Sequence, residues 1–129
     1  MTNPFRDQEK FMRACDQKTD AYAISQYKMY LNLIDEEHAE LKQAIADDDM
    51  TEQLDALIDI LVVTIGAIHS MGADGEGAWK EVMATNFAKI GEDGKVRKRE
   101  DGKVLKPQGW QPPDLKPFLQ RKGVFNKFS

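Results

Sequence analysis

The sequence predicts an all-α protein, a small four-helix bundle followed by an irregular, basic C-terminal arm. Apolar residues recur at helical spacing through the first 90 residues, which indicates amphipathic helices. Four of the five prolines follow residue 90, and the charge changes sign at about the same place. The length of 129 residues suits a single domain with one modest core.

Four helices are expected from the spacing of apolar residues and from the breaks between them. Thr51 is a candidate N-cap of the third helix, and Gly72 and Gly91 are expected to lie just beyond the ends of the third and fourth. The expected ranges are Phe5 to about Lys18, Ile24 to about Asp47, Thr51 to Met71, and Gly75 to Ile90.

The arm contains the turn sequence "EDGK" twice, beginning at Glu92 and at Glu100. Asp-Gly between short polar runs favours either a short β-hairpin or a loop held by turns. We therefore assign residues 1–90 to the helical body and residues 91–129 to an arm of the same domain.

Charge and cysteine content restrict the classes of partner and the compartment. Residues 1–90 carry a net charge of −9 and residues 91–129 a net charge of +5, and an acidic body argues against nucleic acid as the main ligand. The single cysteine, Cys15, fits the cytoplasm, and the polar start predicts no secretory signal. The longest apolar run, Ile60 to Ile68, is shorter than the ~20 residues of a membrane span, so no membrane is expected.

The second predicted helix carries an acidic cluster in the segment "LIDEEHAEL". Glu36, Glu37 and Glu40 lie close together there, although like charges three or four residues apart on a helix repel each other. Two interpretations are open: the cluster is a solvated helix face, or it holds a cation.

The third predicted helix carries a second acidic cluster on one face. Glu52, Asp55 and Asp59 are spaced i, i+3 and i+7, and Asp59 lies within an otherwise apolar run. A buried carboxylate needs a cation, a hydroxyl or a backbone partner, and no Lys or Arg occurs between Lys42 and Lys80.

Taken together, the two clusters predict a metal site between neighbouring helices, whereas Glu52 alone would fit the positive end of a helix dipole. Ligands that are all carboxylates, without a histidine or cysteine cluster, favour Mg²⁺, with Mn²⁺ as the alternative.

Several segments resemble the all-α nucleoside triphosphate pyrophosphohydrolases, the MazG-like group that includes dimeric dUTPases and phosphoribosyl-ATP pyrophosphohydrolases. The segments are "RACDQ", "EEHAE", "DALIDILVVTIGA", "NFAKI" and "REDGKVLKPQGWQPPDL". The family pattern is EExxE on one helix and ExxD on the next, and "EEHAE" matches its first half. In the second half, Asp59 opens the apolar run but Ala56 stands where the glutamate belongs. Glu52-x-x-Asp55 fits literally, one helical turn early, and Asp55 is the candidate for the missing ligand.

The resemblance implies Mg²⁺-dependent hydrolysis of a nucleoside or deoxynucleoside triphosphate to the monophosphate and pyrophosphate, as in nucleotide-pool house-cleaning. It implies one of Glu36 and Glu37 as the base that takes a proton from water. The implied metal ligands are Glu37, Glu40, Asp55 and Asp59, with Glu52 as the alternative member of the second pair. It also implies substrate contacts from Asn86, Lys89 and Gln17, the last to a base, although Lys89 equally suits a cation at a helix C-terminus.

Two alternative functions are also open, and the sequence further predicts an oligomeric state. The same fold could hydrolyse phosphoribosyl-ATP in histidine synthesis, or the chain could be a non-catalytic helical binding or regulatory module whose basic tail reaches a partner. The apolar faces of so small a body, and the pairing of subunits that the resemblance implies, predict a homodimer or a tetramer.

Overall fold

The computed structural model of the protein describes residues 3–120, which form four α-helices and a short 3₁₀-helix. The α-helices are α1 (Pro4–Ala14), α2 (Ile24–Ala46), α3 (Met50–Ser70) and α4 (Gly75–Phe87), and the 3₁₀-helix is Lys116–Phe118. Within these residues the only β structure is two isolated bridges. The predicted all-α class is therefore confirmed.

Helix α1 begins and ends with recognisable capping interactions. The side chain of Asn3 accepts a hydrogen bond from the backbone N–H of Arg6. At the other end, Asp16 has a φ of 59°, and the backbone N–H of Gln17 donates to the carbonyl of Met12. This is a Schellman motif with aspartate instead of glycine in the left-handed position. It ends α1 at Ala14, about four residues before the expected Lys18. The prediction missed this end because no glycine marks it in the sequence.

The acidic run between α2 and α3 forms the turn of a helical hairpin. Asp48 has a φ of 53° in a second Schellman motif, and Asp49 donates its backbone N–H to the carbonyl of Ala44. The carboxylate of Asp49 then accepts from the backbone N–H of Glu52, so Asp49 is the N-cap of α3. The expected cap, Thr51, is instead inside the helix, because Asp49, two residues earlier, already caps its first turn.

Helices α2 and α3 pack side by side in opposite directions. Near one end, Gly66 lies so close to the ring of Tyr30 that an added Cβ would be 2.3 Å from Cε1. Near the other end, the amide of Gln53 donates to the carbonyl of Ala44. The hairpin turn and these two contacts fix the antiparallel register of the two helices. A residue seven positions further along α2 therefore lies opposite a residue seven positions earlier on α3.

The buried core joins the first three helices. Met12 of α1, Tyr30 of α2, and Val63 and Ala67 of α3 form its buried cluster. His69 of α3 also makes a polar contact with α1, since its Nε2 lies 2.8 Å from the backbone carbonyl oxygen of Phe5.

The chain divides into two compact units. The first contains the described residues up to Gly75 and residues 119–120, and the second is Glu76–Phe118. In the second unit, α4 ends at Phe87 instead of the expected Ile90, since Lys89 and Ile90 donate their backbone N–H groups to the carbonyls of Asn86 and Phe87 in tighter turns.

The two "EDGK" segments form two consecutive turns of the same kind, with no extended hairpin. Each turn is closed by one antiparallel bridge, Ile90 with Val96 and Lys98 with Val104. Each has a glycine of positive φ, Gly94 at 78° and Gly102 at 87°. Of the two interpretations, a loop held by turns is the one that the structure supports.

Helix α3 is apolar on two sides. It is long and apolar enough, by length and composition only, to cross a membrane, a test that the core helix of a soluble protein also passes. One side packs against α1 and α2, while the opposite side carries exposed Leu54, Leu57, Ile58, Leu61 and Val62.

Candidate metal centre

Three carboxylates from α2 and α3 converge at the middle of the helical hairpin. Glu37, Glu40 and Asp59 each offer an oxygen, and these oxygens lie within 4.8 Å of one another. The antiparallel register accounts for this convergence: Glu37 is seven residues beyond Tyr30 on α2, and Asp59 is seven residues before Gly66 on α3. The interface between α2 and α3 therefore brings Glu37 and Asp59 together two helical turns from the Tyr30–Gly66 contact.

The close approach of like charges changes the acidity of the cluster. Desolvation, followed by a hydrogen bond with Glu40 and the charges of Glu40, Asp59 and Asp55, raises the pKa of Glu37 from 4.5 to about 7. The pKa of Asp59 is also raised, first by desolvation and then by the charges of Asp55 and Glu40 and a hydrogen bond with Asp55. Without a cation the cluster therefore holds protons near neutral pH.

The cluster has the properties of a binding site for a hard divalent cation. Oε2 of Glu37 is buried and has no hydrogen-bond partner. Within residues 3–120, no Lys or Arg forms an ion pair with Glu37, Glu40 or Asp59. Oxygen donors of full negative charge are the ligands that Mg²⁺ and Mn²⁺ prefer. A cation held here would satisfy the unpaired oxygen and remove the repulsion.

The other predicted acidic residues lie around this cluster in different ways. Asp55 is exposed and acts on Asp59 from one helical turn away. Glu52 lines a cavity of about 280 Å³ together with Glu40 and Asp55. Glu36 is exposed and is not among the three converging residues.

Ala56 is buried in the same cavity wall, with only 3% of its surface exposed. It stands at the position where the family pattern has glutamate. Asp59 therefore faces α2 without an acidic neighbour at i−3, and the nearest carboxylate on its own helix is that of Asp55. Asp55, one turn before Asp59, is the carboxylate that stands closest to the missing glutamate along α3.

The cavity is also lined by two acidic residues that were not among the predicted site residues. Asp47 and Asp49 line it beside Glu40. The run "ADDDM" was the available signal, but its role could be seen only when the hairpin turn brought it back beside α2.

The predicted substrate residues belong to different parts of the chain. Gln17 lies in the first unit, where the hydroxyl of Tyr30 donates a hydrogen bond to its Oε1. This leaves the Gln17 amide nitrogen as a donor for a ligand. Asn86 and Lys89 lie in the second unit, where Nζ of Lys89 donates to Oδ1 of Asn86 at 3.2 Å. Their contacts with a substrate stay predictions.

A comparison with protein families matches residues 5–86 to the phosphoribosyl-ATP pyrophosphohydrolase family. This range is well over half of the chain and contains both helices of the acidic cluster. The chain belongs to this family. A pyrophosphohydrolase is a hydrolase that acts on phosphoric anhydrides, so this protein is a nucleotide pyrophosphohydrolase of the MazG-like all-α superfamily.

The family match explains why this pyrophosphohydrolase has an acidic cluster. Enzymes of this family typically depend on a divalent metal, and the carboxylates of Glu37, Glu40 and Asp59 supply a cluster able to bind one. The match ends at residue 86, so it does not extend to Lys89 or the arm of the pyrophosphohydrolase. A search of curated proteins finds no significant match.

Proposed function

We propose that this pyrophosphohydrolase converts a nucleoside or deoxynucleoside triphosphate to the monophosphate and pyrophosphate with Mg²⁺, and that Mn²⁺ can replace Mg²⁺. The observation that carries the proposal is the convergence of Glu37, Glu40 and Asp59, with one buried oxygen unpaired. A role in removing unwanted nucleotides would suit a cytoplasmic location, with which the single cysteine also agrees.

Glu37, Glu40 and Asp59 would hold the ion, and Asp55 would add negative charge from one turn away. The bound ion would offset the charge of the phosphates and make a water molecule more acidic. Glu37 is partly protonated near neutral pH in the metal-free protein, so a cation that binds there must displace a proton.

Glu37 is the better of the two candidate bases. Glu37 is one of the three converging residues and has a buried oxygen without a hydrogen-bond partner, so it would lie close to a water molecule held by the ion. Glu36, its neighbour on α2, is exposed and is not among the three converging residues. If Glu37 binds the metal through one oxygen, its second oxygen is available to accept a proton from water.

The substrate can be identified with a panel of nucleotides, assayed for released pyrophosphate with Mg²⁺. We expect at least one nucleoside triphosphate to be hydrolysed faster than phosphoribosyl-ATP, with the monophosphate as the second product. Faster hydrolysis of phosphoribosyl-ATP would support the role in histidine synthesis instead. Membership of an enzyme family already favours catalysis over the non-catalytic module. Absence of pyrophosphate from every nucleotide, with Mg²⁺ or Mn²⁺, would contradict the proposal.

We further propose that the protein is a homodimer or a tetramer assembled through α3. Leu54, Leu57, Ile58, Leu61 and Val62 are spaced i, i+3, i+4, i+7 and i+8, and between 36% and 62% of each is exposed. A continuous apolar stripe of this kind is uncommon on the surface of a monomer. A second copy would offer the same stripe, and a two-fold axis near Ile58 would pair them.

Replacement of Ile58 by glutamate tests this assembly. We expect sedimentation equilibrium at micromolar concentration to show a dimer or a tetramer for the parent chain and a monomer for Ile58→Glu. Leu105→Glu is the matched control, since Leu105 is a similarly exposed apolar residue of the arm, and it should leave the oligomer intact. A monomeric parent chain would contradict the proposal.

A further inference from the structure

The exposed apolar stripe of α3, which lies within residues 54–62, has one acidic edge. Successive residues of a helix are about 100° apart, so Asp55 and Asp59 lie about 60° and about 100° around α3 from Ile58, on the same side. Gly66, which contacts α2, lies about 80° from Ile58 on that side too. The edge of the stripe that faces α2 is therefore the edge that carries the acidic cluster.

Asp55 connects this edge to the cluster. It is exposed, and its carboxyl group forms a hydrogen bond with that of Asp59. No Lys or Arg occurs on α3, and within residues 3–120 neither aspartate forms an ion pair with a basic side chain. The negative charge along this edge of the stripe is thus not offset by an ion pair.

The proposed assembly through α3 brings two such edges close together. A two-fold axis near Ile58 is perpendicular to both copies of α3, and it reverses the direction of the helix without exchanging its two edges. The acidic clusters of the two copies therefore lie on the same side of the pair. With helix axes about 8–10 Å apart, the two copies of Asp59 are roughly 10 Å from each other, and so are the two copies of Asp55. Charges repel over this distance, because the Debye length is about 10 Å at about 0.1 M salt.

We propose that assembly through α3 is linked to metal binding, so that a divalent cation in each acidic cluster tightens the dimer. In the metal-free protein, pairing brings two sets of carboxylates together and costs electrostatic free energy. A cation in each cluster offsets those charges. Because such linkage is reciprocal, the dimer also binds the cation more tightly than a single copy does. The inference rests on the α3 assembly and the metal site proposed above, but it does not depend on hydrolysis.

The test measures the dissociation constant of the dimer by sedimentation equilibrium of the full chain. The pH is set to about 8, above the Glu37 pKa of about 7, so that this carboxyl group is mostly ionised. One solution contains EDTA and the other millimolar Mg²⁺, and NaCl brings both to the same ionic strength, so that general screening is equal. We expect the dissociation constant to be on the order of tenfold lower with Mg²⁺.

Three variants examine the physical cause. Asp55→Asn removes one charge from the acidic edge of each copy, so it should tighten the dimer in EDTA and reduce the effect of Mg²⁺. Asp35→Asn is the matched control, because it changes the net charge equally at an exposed position of α2 outside the cluster, and it should leave both dissociation constants nearly unchanged. Ile58→Gln interrupts the stripe without adding a charge. It should be monomeric, and calorimetry should show weaker Mg²⁺ binding than in the parent chain.

Three results would overturn the inference. Equal dissociation constants in EDTA and in Mg²⁺ would exclude the linkage and would leave both the assembly and the hydrolysis standing. An Asp55→Asn variant that behaves as the parent chain does would show that the metal acts through another part of the protein. A parent chain that is monomeric in both solutions would overturn the α3 assembly as well, and it would assign the stripe to another occupant, such as an apolar segment of a different protein.

Discussion

Asp59→Asn is expected to reduce the Mg²⁺-dependent turnover of the best nucleotide on the order of 100-fold or more, while the protein stays folded. Asparagine keeps the shape of the side chain but removes one of the three charges that converge with Glu37 and Glu40. The loss of one strong electrostatic contact in an active site typically has an effect of this size. Release of pyrophosphate measures it, and Mg²⁺ titration by calorimetry should show weakened binding in parallel.

The same substitution should have the opposite effect on the stability of the metal-free protein. The raised pKa of Asp59 means that its ionised form is unfavourable in the fold, first because of desolvation and then because of Asp55 and Glu40. A neutral side chain removes that repulsion, so we expect an equal or higher melting temperature in EDTA. A simple folding defect would lower both activity and melting temperature, and the two explanations can thus be separated.

Asp35→Asn is the matched control, because it removes an exposed carboxylate of α2 that is outside the cluster. It should leave turnover nearly unchanged. Glu40→Ala, by contrast, should lower turnover as Asp59→Asn does. Near-normal activity of both cluster variants on the best substrate would show that the metal lies elsewhere.

Binding of Mg²⁺ is expected to become tighter as the pH rises to about 7 and to change little above it. Most of the Glu37 carboxyl is protonated at pH 6 in the metal-free protein, since desolvation and the neighbouring carboxylates raise its pKa to about 7. A cation must displace that proton. Calorimetry in buffers of different ionisation enthalpy should therefore detect the release of about one proton per Mg²⁺ at pH 6.

The stability of the metal-free protein should change with pH in the opposite sense. The folded-state pKa of Glu37 is above its ordinary value of 4.5, so the folded protein binds more protons than the unfolded chain between pH 4.5 and about 7. The contribution to stability is complete below the unfolded pKa and is lost as the pH rises through the folded one. The melting temperature in EDTA should fall over this window.

Glu37→Gln provides the check on both pH effects, since glutamine neither releases a proton nor repels Glu40. It should remove most of the proton release and flatten the change in melting temperature. It should also reduce turnover, whereas Glu36→Gln should retain it if Glu37 is the base. An unchanged pH dependence in Glu37→Gln would assign the titration to another member of the cluster.

The sequence alone determined the class of the fold and the approximate positions of the helices. Apolar spacing located α2 to within one residue at its C-terminal end, and Gly72 marked the end of α3, because glycine takes the left-handed conformation without steric cost. The end of α1 was predicted four residues too late, because Asp16 adopts the same conformation without being glycine. Aspartate is common in helices, turns and caps alike, so its presence did not mark that helix end.

Two of the three converging residues could also be predicted as neighbours from local spacing. Glu37 and Glu40 are three residues apart on one helix, and helical geometry alone places them on the same face. The same geometry places Glu52, Asp55 and Asp59 together on α3, but it does not say which of them faces α2.

Only the tertiary structure decided that question. The antiparallel register, fixed by the turn at Asp48 and by the close approach of Gly66 to Tyr30, puts Asp59 opposite Glu37. Register depends on contacts between residues far apart in the chain, and a helical period carries no information about them. The raised pKa of Glu37 arises in the same way, since part of it comes from the charges of Asp55 and Asp59 on the other helix.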